Sequence, residues 1–184
     1  EDTLAMLRKE REYRNFLICE VPNEDFAQTI LRQFFFDVFH YLQYEALKSS
    51  SDETLVAIAE KSIKEVAYHV RYSGEWVIRL GDGTDISHEK MKSALEFLWP
   101  FTGELFESDE LDAWAVEKEI GFDPAALKKG WTEKVNAVFD QAGLQLPEKA
   151  WMQSGGKKGY HTEYMGYILS ELQMMQRTYP GLEW

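Results

Sequence analysis

The sequence predicts an all-α protein, a bundle of long helices with a less regular C-terminal third. Three observations lead there. Apolar residues recur every three to four positions over long stretches, caps and stops stand where those stretches begin and end, and runs of alternating β-branched residues are few. At 184 residues the chain has the size of one ordinary domain, so residues 1–184 read as a single helical unit. Its 45% hydrophobic content supplies a core and argues against disorder.

Residues 3–20 place Leu4, Leu7, Arg11, Arg14, Leu17 and Ile18 at a rough three-to-four spacing beside a dense charged face, a helical pattern. Pro22-Asn23 interrupts it, and Asn23 is the expected cap of the next helix. From about 25 to 48, Ala27, Ile30, Leu31, Phe34, Phe35, Val38, Leu42 and Ala46 keep helical period over several turns. Ser50 and Glu53 have the spacing of a capping box, opening a helix over about 54–80 with Leu55, Ala59, Ile63, Val66, Val70 and Val77 on one stripe. Gly81-Asp82-Gly83 is expected to stop it, since glycine accepts left-handed backbone at helix ends. A third strong helix spans roughly 85–98 and ends at Trp99-Pro100. Asp123-Pro124 starts another, acid as cap and proline at the first helical position, carrying Leu127, Trp131, Val135, Val138 and Phe139. Gly143 to Gly159 reads as loop, and a final helix runs from about Thr162 to Thr178. Helices 25–48 and 54–80 are then the bundle helices, and 85–184 a helical extension.

Charge narrows the partners. Lys plus Arg total 20 against 32 Asp plus Glu, a net charge of −12. Such a surface repels phosphate backbones and anionic lipid, so neither nucleic acid nor membrane is an expected partner. The single cysteine, Cys19, leaves no disulfide within the chain. With no apolar run of ~20 residues and no signal-peptide pattern, a cytoplasmic protein is expected.

Long helices with inward acids and histidines raise the question of a di-iron carboxylate site, which uses lone acids on two helices and Glu-x-x-His pairs on two others. Asp37-Val38-Phe39-His40 has the acid and imidazole one turn apart inside an apolar run. An acid there must be paired or functional, because a bare buried carboxylate is costly. The next helix, Lys64-Glu65-Val66-Ala67-Tyr68-His69, offers His69, but Val66 stands three residues before it. Glu65 lies ~100° further round the helix and substitutes poorly. Valine balances no metal charge, so the site reads as broken, with no catalytic, cofactor or metal residue expected. Asp37 and His40 bracing one another in the core is the plainer reading. Ser73, Ser87 and Cys19 have no base at diagnostic spacing.

The second local signal is Ser154-Gly155-Gly156-Lys157-Lys158-Gly159-Tyr160-His161, just ahead of the last helix. Glycine amides, lysines and a helix start favour an anion, so Gly155, Gly156, Lys157, Lys158, Gly159 and His161 are candidates for holding an anion or an acidic partner loop. It lacks P-loop spacing, and a plain connection with solvated lysines is the alternative.

Several of these segments, Arg11-Glu12-Tyr13-Arg14-Asn15-Phe16-Leu17, Phe36-Asp37-Val38-Phe39-His40, Lys64-Glu65-Val66-Ala67-Tyr68-His69, Arg79-Leu80-Gly81-Asp82-Gly83-Thr84 and Ser154 to Glu163, resemble the structural subunit of bacterial phenylacetyl-coenzyme A epoxidase, in the phenylacetic acid degradation protein family. The resemblance spans essentially the whole chain. It implies a ferritin-like helical bundle in a multicomponent monooxygenase of aerobic phenylacetate catabolism in bacteria. A catalytic sister subunit of similar fold would hold the di-iron centre, and a flavin and iron–sulfur reductase would supply electrons from NADPH. This chain would carry no cofactor and scaffold that sister subunit beside further epoxidase subunits, with self-association also open. Asp37 then matches the lone-acid position, Val66 the lost glutamate and His69 the surviving histidine, a vestigial site. Trp76, Phe35, Phe39 and Tyr44 are candidates for the subunit contact. The competing expectation is a di-iron protein binding metal itself through Asp37, His69 and Glu65, with further ligands from the helices ahead of this numbering. Family members carry two long helices ahead of the segment matching Asp2-Thr3-Leu4, so this numbering, which opens on Glu1, is expected to represent the second half of the bundle and its extension.

Overall fold

The computed structural model describes residues 2–148 and 150–182. Among them the chain is all-α, a ferritin-like helical bundle without strands. Helix α1 (Asp2–Met6) precedes two 3-10 turns, Glu10–Glu12 and Leu17–Cys19. Then come α2 (Phe26–Leu47), α3 (Glu53–Gly81) and α4 (Asp85–Leu98). Turns at Trp99–Phe101 and Gly103–Phe106 lead to α5 (Glu110–Glu117) and α6 (Pro124–Ala142). A last 3-10 turn, Gly156–Lys158, is followed by α7 (Tyr164–Leu172) and α8 (Met174–Thr178). No helix among the described residues is long and apolar enough to cross a membrane.

Helix α2 is the centre of the bundle because it is apolar on most of its circumference, which only an interior helix tolerates. Ile30, Leu31, Phe34, Phe35, Val38 and Phe39 are all buried. Against them pack α3, α4 and α6, and α3 also touches α4 and α6. Helices α4 and α6, expected as part of an extension, therefore complete the same core. Helix α3 buries Ala59, Val66, Ser73, Gly74, Val77 and Gly81 along one side. Its small residues let α2 approach: a Cβ on Gly74 would sit 3.3 Å from the Phe34 ring.

The core centres on Phe35. Its ring lies 5.5 Å from Trp131, 6.0 Å from Phe139 and 6.2 Å from Trp99. Trp131 Nε1 donates to the Phe35 carbonyl at 2.9 Å, so the largest buried side chain leaves no orphaned donor. Phe35 and Phe39, expected at a subunit contact, are thus core residues. Phe34, Phe35 and Phe39 are all buried and fill the bundle.

Local chemistry departs from expectation at several helix ends. Asp25, not Asn23, caps α2, accepting from Gln28 N at 3.0 Å. Asp52 caps α3, accepting from Thr54 N and Leu55 N. Ser50 instead donates to the Ile120 carbonyl, so the expected Ser50–Glu53 box does not form. Residues 3–20 do not make one helix: Tyr13 and Phe16 have extended backbone. That segment is held by long-range contacts, and Leu17 and Ile18 enter the core from a 3-10 turn. The final helix breaks at Gln173, whose side-chain amide donates to Arg8 O at 2.7 Å and to Tyr13 Oη at 2.9 Å. Helix α5 falls in the stretch expected to be irregular; Asp109 and Asp112 form its capping box.

Gly81 does end α3, but not by left-handed geometry. A Cβ there would fall 2.5 Å from the Ala142 carbonyl oxygen, so close packing of α3 on α6 requires the glycine. The left-handed helix terminator is Gly143, at φ 66°, after α6. Gly81→Ala is expected to cost about 1–3 kcal/mol by overpacking. Gly166→Ala, within α7 and with nothing inside 4 Å of a new Cβ, is expected to gain up to ~1 kcal/mol from helix propensity. Urea-denaturation midpoints of the two variants test the opposite signs.

Candidate functional site

Asp37 lies on the inner side of α2, 4% exposed. A carboxyl so placed needs partners, and two side chains provide them. Gln33, one turn earlier on α2, donates from Nε2 to Oδ1 at 2.6 Å. Ser73, from α3, donates from Oγ to Oδ2 at 2.8 Å. The Ser73 hydroxyl also lies 2.8 Å from the His69 carbonyl. If Asp37 holds a proton, the chain Gln33 to Asp37 to Ser73 to His69 O is complete, each hydroxyl donating once. Burial pushes the Asp37 carboxyl above the usual carboxylate range, and the bonds from Gln33 and Ser73 and the nearby His69 and His40 oppose this only in part. Burial likewise pushes His40 down, with Asp37 acting the other way. The His40 ring rests 4.6 Å from Tyr44 and 5.6 Å from Phe36.

The expected di-iron ligands do not converge. Val66, expected at the place of the lost glutamate, is a buried core residue. The Glu65 side chain is 79% exposed, and its carboxylate approaches the His69 Nε2 at 3.7 Å on the outside of α3. Asp37 has an oxygen committed to each of Gln33 and Ser73. Among the described residues no group of three or more His, Cys, Asp or Glu side chains is arranged to hold a metal ion. Among the described residues, Asp37, His69 and Glu65 are not arranged as the ligands of one metal pair.

The glycine–lysine loop is an anion cradle whose anion is internal. Gly155 N and Gly156 N donate to Glu104 Oε1 at 2.8 and 2.6 Å, and Leu17 N donates to Oε2 at 2.8 Å. Glu104 is 1% exposed, carried by the turn after α4. Gly155 at φ 120° and Gly159 at φ 78° give the loop its path, and side chains at Gly156 or Gly159 would run into the backbone of Asn15 or Arg11.

Next to it stands a second buried carboxylate. Glu20 Oε1 accepts from Asn15 Nδ2 at 2.8 Å and contacts His161 Nδ1 at 2.6 Å; Oε2 accepts from Thr162 N and Thr162 Oγ1, both at 2.8 Å. His161 therefore faces inward and is enclosed. Lys157 is paired with Asp112, lies 3.4 Å from Asp109 and donates to the Glu107 carbonyl at 3.1 Å, tying the loop to the start of α5. Lys158 is partner-free among the described residues, making no ion pair there.

The structure thus gathers Gly155, Gly156, Lys157, Gly159 and His161 in one clasp, set about the turns that carry Glu20 and Glu104. Asp37 and His69 lie apart from it on the α2–α3 face. Trp76 and Tyr44 are half-buried: Trp76 packs edge-on to Phe26 at 5.1 Å, and Tyr44 packs on His40. The residues that sequence reading missed are Gln33 and Ser73, which satisfy Asp37, and Glu20 and Glu104. Glu20 in Ile18-Cys19-Glu20-Val21 and Glu104 in Gly103-Glu104-Leu105-Phe106 carry the same signal that singled out Asp37, an acid within an apolar run.

A family model described as phenylacetic acid catabolic protein matches residues 1–184. The chain is also 46% identical over 184 residues to a 1,2-phenylacetyl-CoA epoxidase subunit of Escherichia coli (strain K12), an alignment that covers 100% of this chain and 74% of that protein.

Three substitutions probe these networks. Ser73→Ala strips a buried partner from Asp37 and is expected to cost about 1–3 kcal/mol. Because the folded-state carboxyl of Asp37 is raised, its contribution to stability is fully present below the ordinary carboxylate range and is lost as pH rises through the raised value. Asp37→Asn lacks that loss, so its stability relative to the unsubstituted chain is expected to increase from about pH 4 upward, as read by urea titrations at several pH values. Glu104→Gln turns an amide toward backbone N–H donors and is expected to cost about 2–3 kcal/mol. It should also open residues 153–163 to limited proteolysis.

Proposed function

The chain belongs to the phenylacetic acid catabolic protein family, and from that premise we propose that it is a non-catalytic, structural subunit of a phenylacetyl-CoA epoxidase in aerobic phenylacetate breakdown. Its task in this reading is to scaffold the catalytic di-iron subunit. One observation carries the proposal: the position where a metal-bridging acid is needed holds Val66, and the remaining acid, Asp37, is hydrogen-bonded by Gln33 and Ser73. That arrangement is complete without a metal. The identity to a protein named as an epoxidase subunit supports the placement in a multisubunit oxidoreductase.

The reading assigns the di-iron centre to the sister subunit, and the NADPH, flavin and iron–sulfur chemistry to a reductase. Further epoxidase subunits complete the assembly, in the bacterial cytoplasm. Within it the Gly155–Gly159 loop is a partner-facing turn, with Lys158 as its contact and Lys157 and His161 as its internal anchors.

Two measurements test this. The full-length protein, purified without its partners and treated with a mild chelator, is expected to retain no stoichiometric iron, and its co-expression is expected to raise the yield of soluble, active catalytic subunit. Near-stoichiometric retained iron, or a catalytic subunit equally soluble and active alone, would overturn the proposal. The two lysines separate by readout. Lys157→Ala removes a partly buried pair and is expected to cost about 1–2 kcal/mol of stability. Lys158→Ala is expected to leave stability unchanged and weaken partner binding.

A further inference from the structure

Two segments far apart in the chain pack on each other. Helix α7 lies against α8 and the Glu10–Glu12 turn, and its buried Met165 and Leu169 stand outside the hydrophobic cluster that α2 centres. Lys9, Glu10, Leu169 and Gln173 line the groove between the two segments. Gln173 closes the contact by donating to Arg8 O and Tyr13 Oη, and Tyr13 Oη donates in turn to Ala5 O at 2.7 Å. The Arg11 guanidinium lies 5.5 Å from the centre of the Tyr160 ring, and Arg14 donates to the Lys157 carbonyl at 3.1 Å. Residues 2–15 and 156–178 thus share a small apolar centre and a set of bonds of their own.

The joint between this pair of segments and the bundle is of another kind, because it is polar. Gly155 N and Gly156 N donate to Glu104; Asn15, His161 and Thr162 are bonded to Glu20; Lys157 is paired with Asp112. The acids belong to the bundle, where Leu17 and Ile18 enter the core. Their donors belong to the segments. When a polar joint parts, water takes up each donor and acceptor as it is bared, and no core residue is exposed. The backbone is also suited to bend at both sides of the joint. Phe16 is extended and Gly155 has φ 120°, while Gln153 N, just before that glycine, donates to Pro100 O at 2.8 Å and stays with the bundle.

We propose that residues 2–15 and 156–178 form one strap, which lifts from the bundle as a single cooperative unit and is latched by Glu20 and Glu104. The two segments stay packed on each other as the strap opens, so the core of α2, α3, α4 and α6 remains closed. Glu20 couples the halves directly: it accepts from Asn15 in one and from Thr162 in the other, so a loss at either half loosens both.

Hydrogen exchange on the full chain, read by mass spectrometry, tests this. The slowest amides of residues 10–13 and those of α7 are expected to exchange at one common rate, at least ~tenfold faster than the amides of α2 and α3. Thr162→Ala removes one hydroxyl from Glu20 and touches only the later segment. It is expected to speed exchange roughly two- to tenfold at both places and to leave α2 and α3 unchanged. Thr162→Ser, which keeps the hydroxyl, is expected to restore the rate. Two separate rates in the unsubstituted chain, or a Thr162→Ala effect confined to α7, overturns the single strap. Exchange at both places as slow as in α2 and α3 overturns it as well, because the segments would then open only with the whole fold. Should Thr162→Ala fail to fold, the rates of the unsubstituted chain still decide.

Discussion

A carboxylate taken out of water must be met by donors, and three such acids organise this chain. Asp37 joins α2 to α3 through Ser73, Glu104 joins the chain's early turn to its late loop, and Glu20 holds the start of α7. Among the described residues none of the three is met by a lysine or arginine side chain; amides, hydroxyls and one imidazole supply the bonds. Each N–H donor has one direction, so these bonds fix geometry. The bonds from Ser73 to Asp37, from the Gly155–Gly156 amides to Glu104 and from Thr162 to Glu20 also couple segments far apart in the chain.

Such bonds let a helical bundle keep an acid in its core. Where carboxylates crowd a helix interface, a metal pair or a set of hydrogen bonds must offset their burial. Here the buried acid Asp37 is met by Gln33 and Ser73. The aromatic cluster around Phe35 then supplies the cohesion that a metal site cannot.

The helical architecture is legible in the sequence where periodicity runs long, as in α2, α3, α4 and α6, and Val66 stands out there as the gap in the acid pattern. Helix starts are less legible, because Asn23 and Asp25, or Ser50 and Asp52, are chemically alike as caps and only the path of the preceding chain decides between them. Phe35 and Phe39 cannot be assigned from sequence, since a buried aromatic face and an interface face have the same composition. The glycine–lysine loop has the composition of an anion cradle, but its internal occupant is hidden. Glu104 lies 52 residues from Gly156, and nothing local links them.

The distance between Glu20 and His161, 141 residues along the chain, has a temporal meaning. At the usual ~5–20 residues per second of synthesis, a ribosome needs roughly 7–30 s to travel from one to the other. Through that interval the early turn with Leu17 and Ile18 has no partner loop to close over it, and its acids stay hydrated. The loop can therefore close over that early turn only after residues 155–162 are made, so a nascent chain truncated before the loop would leave the apolar turn for chaperones to shield.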